Sequence, residues 1–182
     1  MTIVIDVANV MGSRPDGWWR DRAGAAVRLY EEVVQLAASG HVALPAAGGE
    51  PGRNERAADE PGPDEHGPDE PAADEPAGKE PRDAGAPGFI MVLEGAAKAA
   101  ARRIPAPARQ EADVTGGVAP GEVLVVLARG SGDDTIVALA RDVPGPRYVV
   151  TADRELRRRC TAVGAEILGP GWLLGQLRQA AH

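Results

Sequence analysis

A single cysteine, Cys160, stands in a chain of 182 residues. With no second thiol there is no intramolecular disulfide, which excludes a disulfide-stapled secreted scaffold and a multi-cysteine zinc site together. A reducing, cytoplasmic setting is the expectation. Aromatic residues are scarce, with three Trp, two Tyr and one Phe. Long apolar runs are missing as well: stretches such as Val123–Ala128 fall far short of the roughly 18 residues a membrane-spanning helix needs, so no membrane partner is expected. The opening Met1-Thr2-Ile3-Val4-Ile5-Asp6 lacks a basic n-region and meets a carboxylate at once, unlike a secretory signal. Of the three histidines, His41 falls in a helix-exit loop, His66 in an acidic repeat and His182 at the terminus, which argues against a histidine base.

Charge is unevenly spread. Twelve acidic and four basic residues lie between Pro45 and Gly88, so that segment alone carries more than the chain's net charge of −7. Within it Asp-Glu recurs at 59–60, 64–65, 69–70 and 74–75, a period matching neither helix nor strand. Pro, Gly and Ala separate the pairs, and no Val, Ile, Leu or aromatic residue occurs there. Such a segment cannot bury enough surface to offset the entropy of ordering. It reads as a disordered acidic insertion over 45–88, with no spacing resembling a calcium loop. A second Pro/Gly-rich stretch, 105–121, reads as a flexible loop.

The remainder forms one domain over 1–182 that these two segments interrupt. Short β-branched runs mark strands at Ile3–Ile5, Phe89–Leu93, Val123–Leu127, Tyr148–Val150 and Glu166–Leu168. Most are continuously apolar, as strands covered on both faces must be. Helices are expected near Trp18–Ala38, Gly95–Arg103, Asp133–Arg141, Arg154–Val163 and Trp172–Ala180. In the first of these, Ala26, Leu29, Tyr30, Val33 and Leu36 recur at helical spacing, while Arg22, Arg28, Glu31, Glu32 and Gln35 take the other face. Strand and helix in alternation predict an α/β fold: a three-layer parallel sheet of about five strands with right-handed crossovers.

Ligands bind such sheets beyond the carboxyl ends of the strands, and here those ends are acidic. Asp6 ends the first strand, Glu94 follows the second, Asp133 and Asp134 follow the third through Arg129-Gly130-Ser131-Gly132, and Asp153 follows the fourth. Crowded carboxylates raise one another's pKa, and a hard divalent cation, Mg²⁺ or Mn²⁺, relieves the repulsion. A metal so held orients and deprotonates a water and stabilises a phosphodiester oxyanion. Helix capping is the plainer account of several members. Asp153 precedes a helix and suits an N-cap, and Ser131-Gly132-Asp133-Asp134 fits a capping box. Glu94 before Gly95 also reads as an ordinary solvated loop residue. Asp6 precedes no predicted helix, so capping does not account for it or for the shared rim.

Other chemistries fail on particular residues. Gly130-Ser131-Gly132 continues to Thr135 where a dinucleotide fingerprint wants Gly or Ala, and its two Asp residues repel bare phosphate. Neither a P-loop nor a nucleophile-elbow motif occurs. Asp6-Val7-Ala8 fails the Asp-x-Asp test of the haloacid-dehalogenase phosphatases.

The segments Ile5-Asp6-Val7-Ala8-Asn9-Val10-Met11-Gly12, Gly130-Ser131-Gly132-Asp133-Asp134 and Thr151-Ala152-Asp153-Arg154-Glu155-Leu156 resemble the three acidic motifs of the NYN/PIN-like domains, a family of metal-dependent ribonucleases. Trp18-Trp19-Arg20-Asp21-Arg22 resembles an actinobacterial subgroup of small NYN-like proteins. The resemblance implies a PIN-like fold and a Mg²⁺ or Mn²⁺ site formed by Asp6 and Asp153 with Asp133, Asp134 or both. It implies that Asn9 positions the loop or the scissile phosphate, and it offers Asp21, with Glu94, as an outer acidic member. Asp21 equally suits an ion pair with a neighbouring Arg. One position departs: the family carries Gly after its first Asp, where Val7 disfavours positive φ.

For the substrate, Arg14, Ser131 and Arg154 lie nearest the rim, and Arg20, Arg22, Arg157, Arg158 and Arg159 add to a set able to track a phosphate backbone or form a solvated helix face. Trp18 and Trp19 suit base stacking or packing, with at least one expected to be buried. The expected activity is divalent-dependent hydrolysis of phosphodiester bonds in single-stranded RNA. The alternatives are a catalytically inactive PIN-like module that binds RNA or protein, and a metal-dependent nucleotide hydrolase.

Overall fold

A computed structural model describes residues 1–45, 82–83, 86–105, 109–111 and 117–181. The chain begins with β1 (Thr2–Asp6), α1 (Val7–Gly12), α2 (Arg22–Ser39), β2 (Ala43–Leu44), β3 (Arg82–Asp83) and β4 (Gly88–Leu93). A 3₁₀ helix (Gly95–Arg102) leads to β5 (Arg109–Glu111) and β6 (Val123–Leu127). The chain then runs through α3 (Gly132–Asp142), β7 (Arg147–Val150), α4 (Arg154–Ala162), β8 (Glu166–Leu168) and α5 (Pro170–Ala180).

All five expected strands form and lie side by side. The sheet order is β5-β6-β4-β1-β7-β8, and every pairing in it is parallel. β1 is central, with Ile3 opposite Phe89 on one side and Tyr148 on the other. Successive side chains of a strand point to opposite faces, so the apolar runs feed two cores. Ile3, Ile5, Phe89, Met91, Val125 and Val150 pack with Leu29, Val33 and Leu36 of α2 and Leu173 of α5. Val4, Ile90, Val92, Val126 and Val149 pack with Ile136 and Leu139 of α3 and Leu156 and Cys160 of α4. This is a three-layer α/β fold of PIN-like architecture. Each fully buried Ile, Leu or Phe contributes about 1.5–3 kcal/mol, and β1 and β4 are buried along their whole lengths. Among the described residues no helix is long and apolar enough to cross a membrane.

Four expectations need correcting. A helix does begin directly after Asp6: α1 is six residues long, too short for periodicity to register, and Asp6 itself caps it. α2 starts at Arg22, four residues later than expected, because Asp21 caps it by accepting the Gly24 amide at 2.8 Å and leaves Trp18–Arg20 in a turn. The segment after Gly95 is 3₁₀, with buried Ala97 and Ala100 three apart, which suits three residues per turn. The stretch 105–121 is not wholly a loop, since Arg109–Glu111 adds an edge strand against β6.

Arg82–Asp83, inside the expected insertion, pairs antiparallel with Ala43–Leu44. The Asp-Glu repeat itself lies outside the described residues. The concern over Val7 dissolves: it is the first residue of α1, in helical conformation with its side chain fully buried, so nothing there requires positive φ.

Candidate active site

Parallel strands present their carboxyl ends on one edge, and β6, β4, β1 and β7 are consecutive across the sheet. The acidic residues that end or follow these strands therefore share a rim. Asp6, Glu94, Asp133 and Asp153 line one cleft of about 470 Å³ with Ala8, Asn9, Gly12, Ser13, Trp18 and Ala152. No Lys, Arg or His is among these lining residues.

Asp6 sits at the centre, 8% exposed. One carboxylate oxygen accepts the Asn9 amide at 3.0 Å and the other the Thr151 hydroxyl at 2.9 Å. Burial pushes its carboxyl above the ordinary range. The two donated hydrogen bonds oppose this, and the charges of Asp133 and Glu94 add to it. The Asn9 side-chain carbonyl accepts the Ala152 amide at 2.8 Å, which ties the end of β7 to α1. Asp153 caps α4 through the Leu156 amide at 2.8 Å, and its own amide donates to the Thr151 hydroxyl at 3.1 Å. Glu94 accepts the Gly132 amide at 2.9 Å, so β4 holds the start of α3. A Cβ on Gly132 would lie 2.5 Å from that Glu94 oxygen, which makes glycine the residue that admits it. Asp133 is raised by burial, then by Asp153 and Glu94, with Arg159 opposing.

The expected residues therefore divide. Asp6, Asn9, Asp133 and Asp153 meet in the cleft, and so does Glu94, which the sequence read also as a solvated loop residue. Asp134 does not line it. It is ion-paired with Arg159 and its side chain is 69% exposed, because adjacent helix positions point about 100° apart. Ser131 caps α3 by accepting the Asp134 amide. Asp21 caps α2 and is absent from the lining. Arg14 forms a two-pronged ion pair with Glu32 and lines a separate pocket of about 360 Å³ with Leu174, Leu177 and Arg178. Arg154 is exposed on the first turn of α4, beside Asp153.

The other arginines of α4 are engaged internally: Arg157 donates to the Thr151 carbonyl at 3.0 Å, Arg158 pairs with Glu155 and Arg159 with Asp134. Trp18 is partly buried against the core and lines the cleft, while Trp19 is exposed. Thr151 was not singled out from the sequence. Its signal was a hydroxyl residue closing an apolar strand, since a buried hydroxyl must find a partner. Cys160 is no nucleophile here: it is buried and its thiol is pushed up to about 11 by that burial.

Among the described residues no three Asp, Glu, His or Cys side chains stand close enough to ligate one ion between them. The donors come from four strands spaced roughly 4.8 Å apart, and so are spread along the rim. All are hard oxygen donors, and two are held above their ordinary pKa partly by like charge. That chemistry fits Mg²⁺, which keeps several waters and commonly takes only one or two carboxylates, with substrate phosphates completing its shell.

The parallel three-layer sheet, with acidic residues along one carboxyl edge, is consistent with a PIN-like α/β fold. The crystal structure of a point variant of Rae1 (YacP) from Bacillus subtilis is similar to this chain, with a TM-score of 0.54 and 11% sequence identity over 100% of this chain and 76% of that one. At that identity the likeness speaks for the fold alone. No protein-family model matches the chain, and no curated protein matches it by sequence.

Proposed function

We propose that the protein is a divalent-metal-dependent nuclease that hydrolyses phosphodiester bonds, with single-stranded RNA as substrate. The observation that carries this reading is the convergence of Asp6, Glu94, Asp133 and Asp153 on one cleft with no cation among its lining residues. Capping accounts for Asp6 and Asp153 individually. Glu94 likewise takes up the first amide of α3. Capping does not account for Asp133, which caps nothing, or for the gathering of all four on one cleft.

In this reading one or two carboxylates of the set Asp6, Asp133 and Asp153 hold Mg²⁺ or Mn²⁺ directly and the rest act through its bound waters, with Glu94 an outer carboxylate. When bound, the ion supplies Lewis-acid activation of water and neutralises charge on the scissile phosphate. The chain's own groups set the stage. Thr151 fixes the Asp6 carboxylate and, through the Asp153 amide, the entry to α4. Asn9 locks α1 against Ala152, so the two acidic loops cannot drift apart. Asp6, its pKa raised by burial, has a stronger drive to share its charge with a cation than a solvated carboxylate has. In this reading Arg154, exposed beside Asp153, meets the phosphate backbone outside the cleft.

One observation favours a second reading, a PIN-like module that binds RNA or protein without turnover: among the described residues no three carboxylates converge on a single point. The same experiment separates the two. End-labelled single-stranded RNA and a nucleoside triphosphate are incubated in parallel with the protein in Mn²⁺, Mg²⁺ or EDTA. The nuclease reading expects RNA products only with metal, and a loss on the order of a hundredfold or more in Asp6→Asn, since even groups outside the first coordination shell cost 10–100-fold. RNA retained without any product selects the binding module. Undiminished cleavage by Asp6→Asn places the activity elsewhere.

A further inference from the structure

Trp19 is one of two large apolar side chains exposed among the described residues, at 57%. A solitary exposed apolar residue is ordinary, but this one has a particular setting. Its ring meets Trp18 edge to face, with centroids 6.4 Å apart and planes at 86°. Trp18 lines the acidic cleft, near Gly12 of α1, where an added Cβ would lie 3.9 Å from Trp18 Cζ2. Arg22 lies over the Trp18 ring at 5.3 Å from its centroid, so one face of that indole is already taken. Trp18 is thus anchored by the core, the cleft wall and a cation, and Trp19 leans on it. A T-shaped contact uses at most one face of Trp19 and leaves the other open to solvent.

The turn carrying the pair is built rather than loose. Asp16 accepts the Trp18 amide at 3.1 Å, and the Arg20 amide donates to the Gly17 carbonyl at 3.0 Å. Gly17 supplies the left-handed φ of 75° the turn needs. Arg20 and Arg22 flank the rings, both exposed. An exposed indole that rests on a cleft-lining one, with two exposed arginines close by in the chain, has the makings of a nucleobase platform.

We propose that Trp19 stacks an unpaired nucleobase next to the phosphodiester held in the acidic cleft, with Trp18 as its anchor, so that the protein discriminates single strands from duplexes. The inference rests on the nuclease reading for what occupies the cleft. A base within a duplex is stacked on its neighbours and has no free face to offer, whereas one in a single strand does. Stacking on an aromatic side chain is indifferent to base identity because every base has a π-face. The platform therefore selects for strandedness and not for sequence.

The test is fluorescence anisotropy of labelled oligouridylate, and of the same strand annealed to oligoadenylate, titrated with the full chain in Ca²⁺. Wild type, Trp19→Ala and Trp19→Phe are compared, each checked for an unchanged melting curve. Trp19→Ala is expected to weaken single-strand binding on the order of tenfold, within the range a base stack supplies. Duplex binding stays unchanged, and Trp19→Phe, which keeps a π-face, recovers most of the loss. Quenching of indole fluorescence by oligouridylate should shrink in Trp19→Ala. Equal losses on single strand and duplex overturn the stacking role. Unchanged affinity in Trp19→Ala overturns it too, and leaves the exposed indole for a protein partner. A wild-type chain that binds neither RNA form overturns the nuclease reading and the platform together, an outcome distinct from either of the other two.

Discussion

Thr151→Val tests the interior of the site most directly, because valine keeps the shape of threonine and removes only the hydroxyl. That hydroxyl is fully buried, donates to Asp6 at 2.9 Å and accepts the Asp153 amide at 3.1 Å. Its loss leaves a buried carboxylate oxygen with one donor fewer and an amide without its acceptor. A hydrogen bond to a charged group contributes about 1.5–3 kcal/mol. At roughly 2–4 °C per kcal/mol for a chain of this size, the melting temperature in EDTA at neutral pH should fall by about 3–12 °C.

The deficit depends on pH with a defined sign. The Thr151 hydroxyl lowers the Asp6 pKa, against burial that raises it, so the bond favours the ionised form. Removing it raises that pKa further. As pH falls through the Asp6 titration in the folded state, the interaction lost becomes one between neutral groups, and the deficit shrinks to about 0.5–1.5 kcal/mol. Thermal unfolding followed by circular dichroism across this range is the assay. Equal melting temperatures at neutral pH, or a deficit that widens on acidification, would refute the argument that Thr151 supports an ionised, buried Asp6.

Two further outcomes follow from the same geometry. Asp133 is held above its ordinary pKa by burial and by Asp153 and Glu94. A raised carboxylate pKa means stability present below the unfolded-state value and lost as pH rises through the folded one. Asp133→Asn should therefore raise the melting temperature in EDTA at neutral pH by a few degrees at most, because the group is only partly buried, and the gain should vanish in acid. Added Mg²⁺ should stabilise wild type more than this variant. Gly132→Ala sets a Cβ 2.5 Å from a Glu94 oxygen at the end of a flexible side chain. That carboxylate should swing aside, with stability altered by less than about 1 kcal/mol, while metal affinity measured by calorimetry falls. An unchanged affinity would show that Glu94 is a bystander.

Five strands, most of the helices between them and the row of acidic residues at the strand ends were legible in the chain, because each depends on a run of neighbours: continuous apolar residues for doubly covered strands, helical spacing in α2, capping residues before α3 and α4. α1 was hidden by its shortness, and β5 and the β2–β3 pair because strands of two or three residues exist only through their partners. The choice among the carboxylates lay wholly in the tertiary structure. Asp133 and Asp134 are adjacent and alike in sequence, yet one faces the cleft and the other meets Arg159. The bonds that make a site of these residues join Thr151 to Asp6 across 145 positions, Asn9 to Ala152 across 143 and Glu94 to Gly132 across 38. Local pattern reports which side chains have acidic chemistry and which element carries them. Parallel pairing sets all the strand ends on one edge, but only the order β6-β4-β1-β7 makes these four neighbours, because strand order is set by long-range burial that no window of sequence contains.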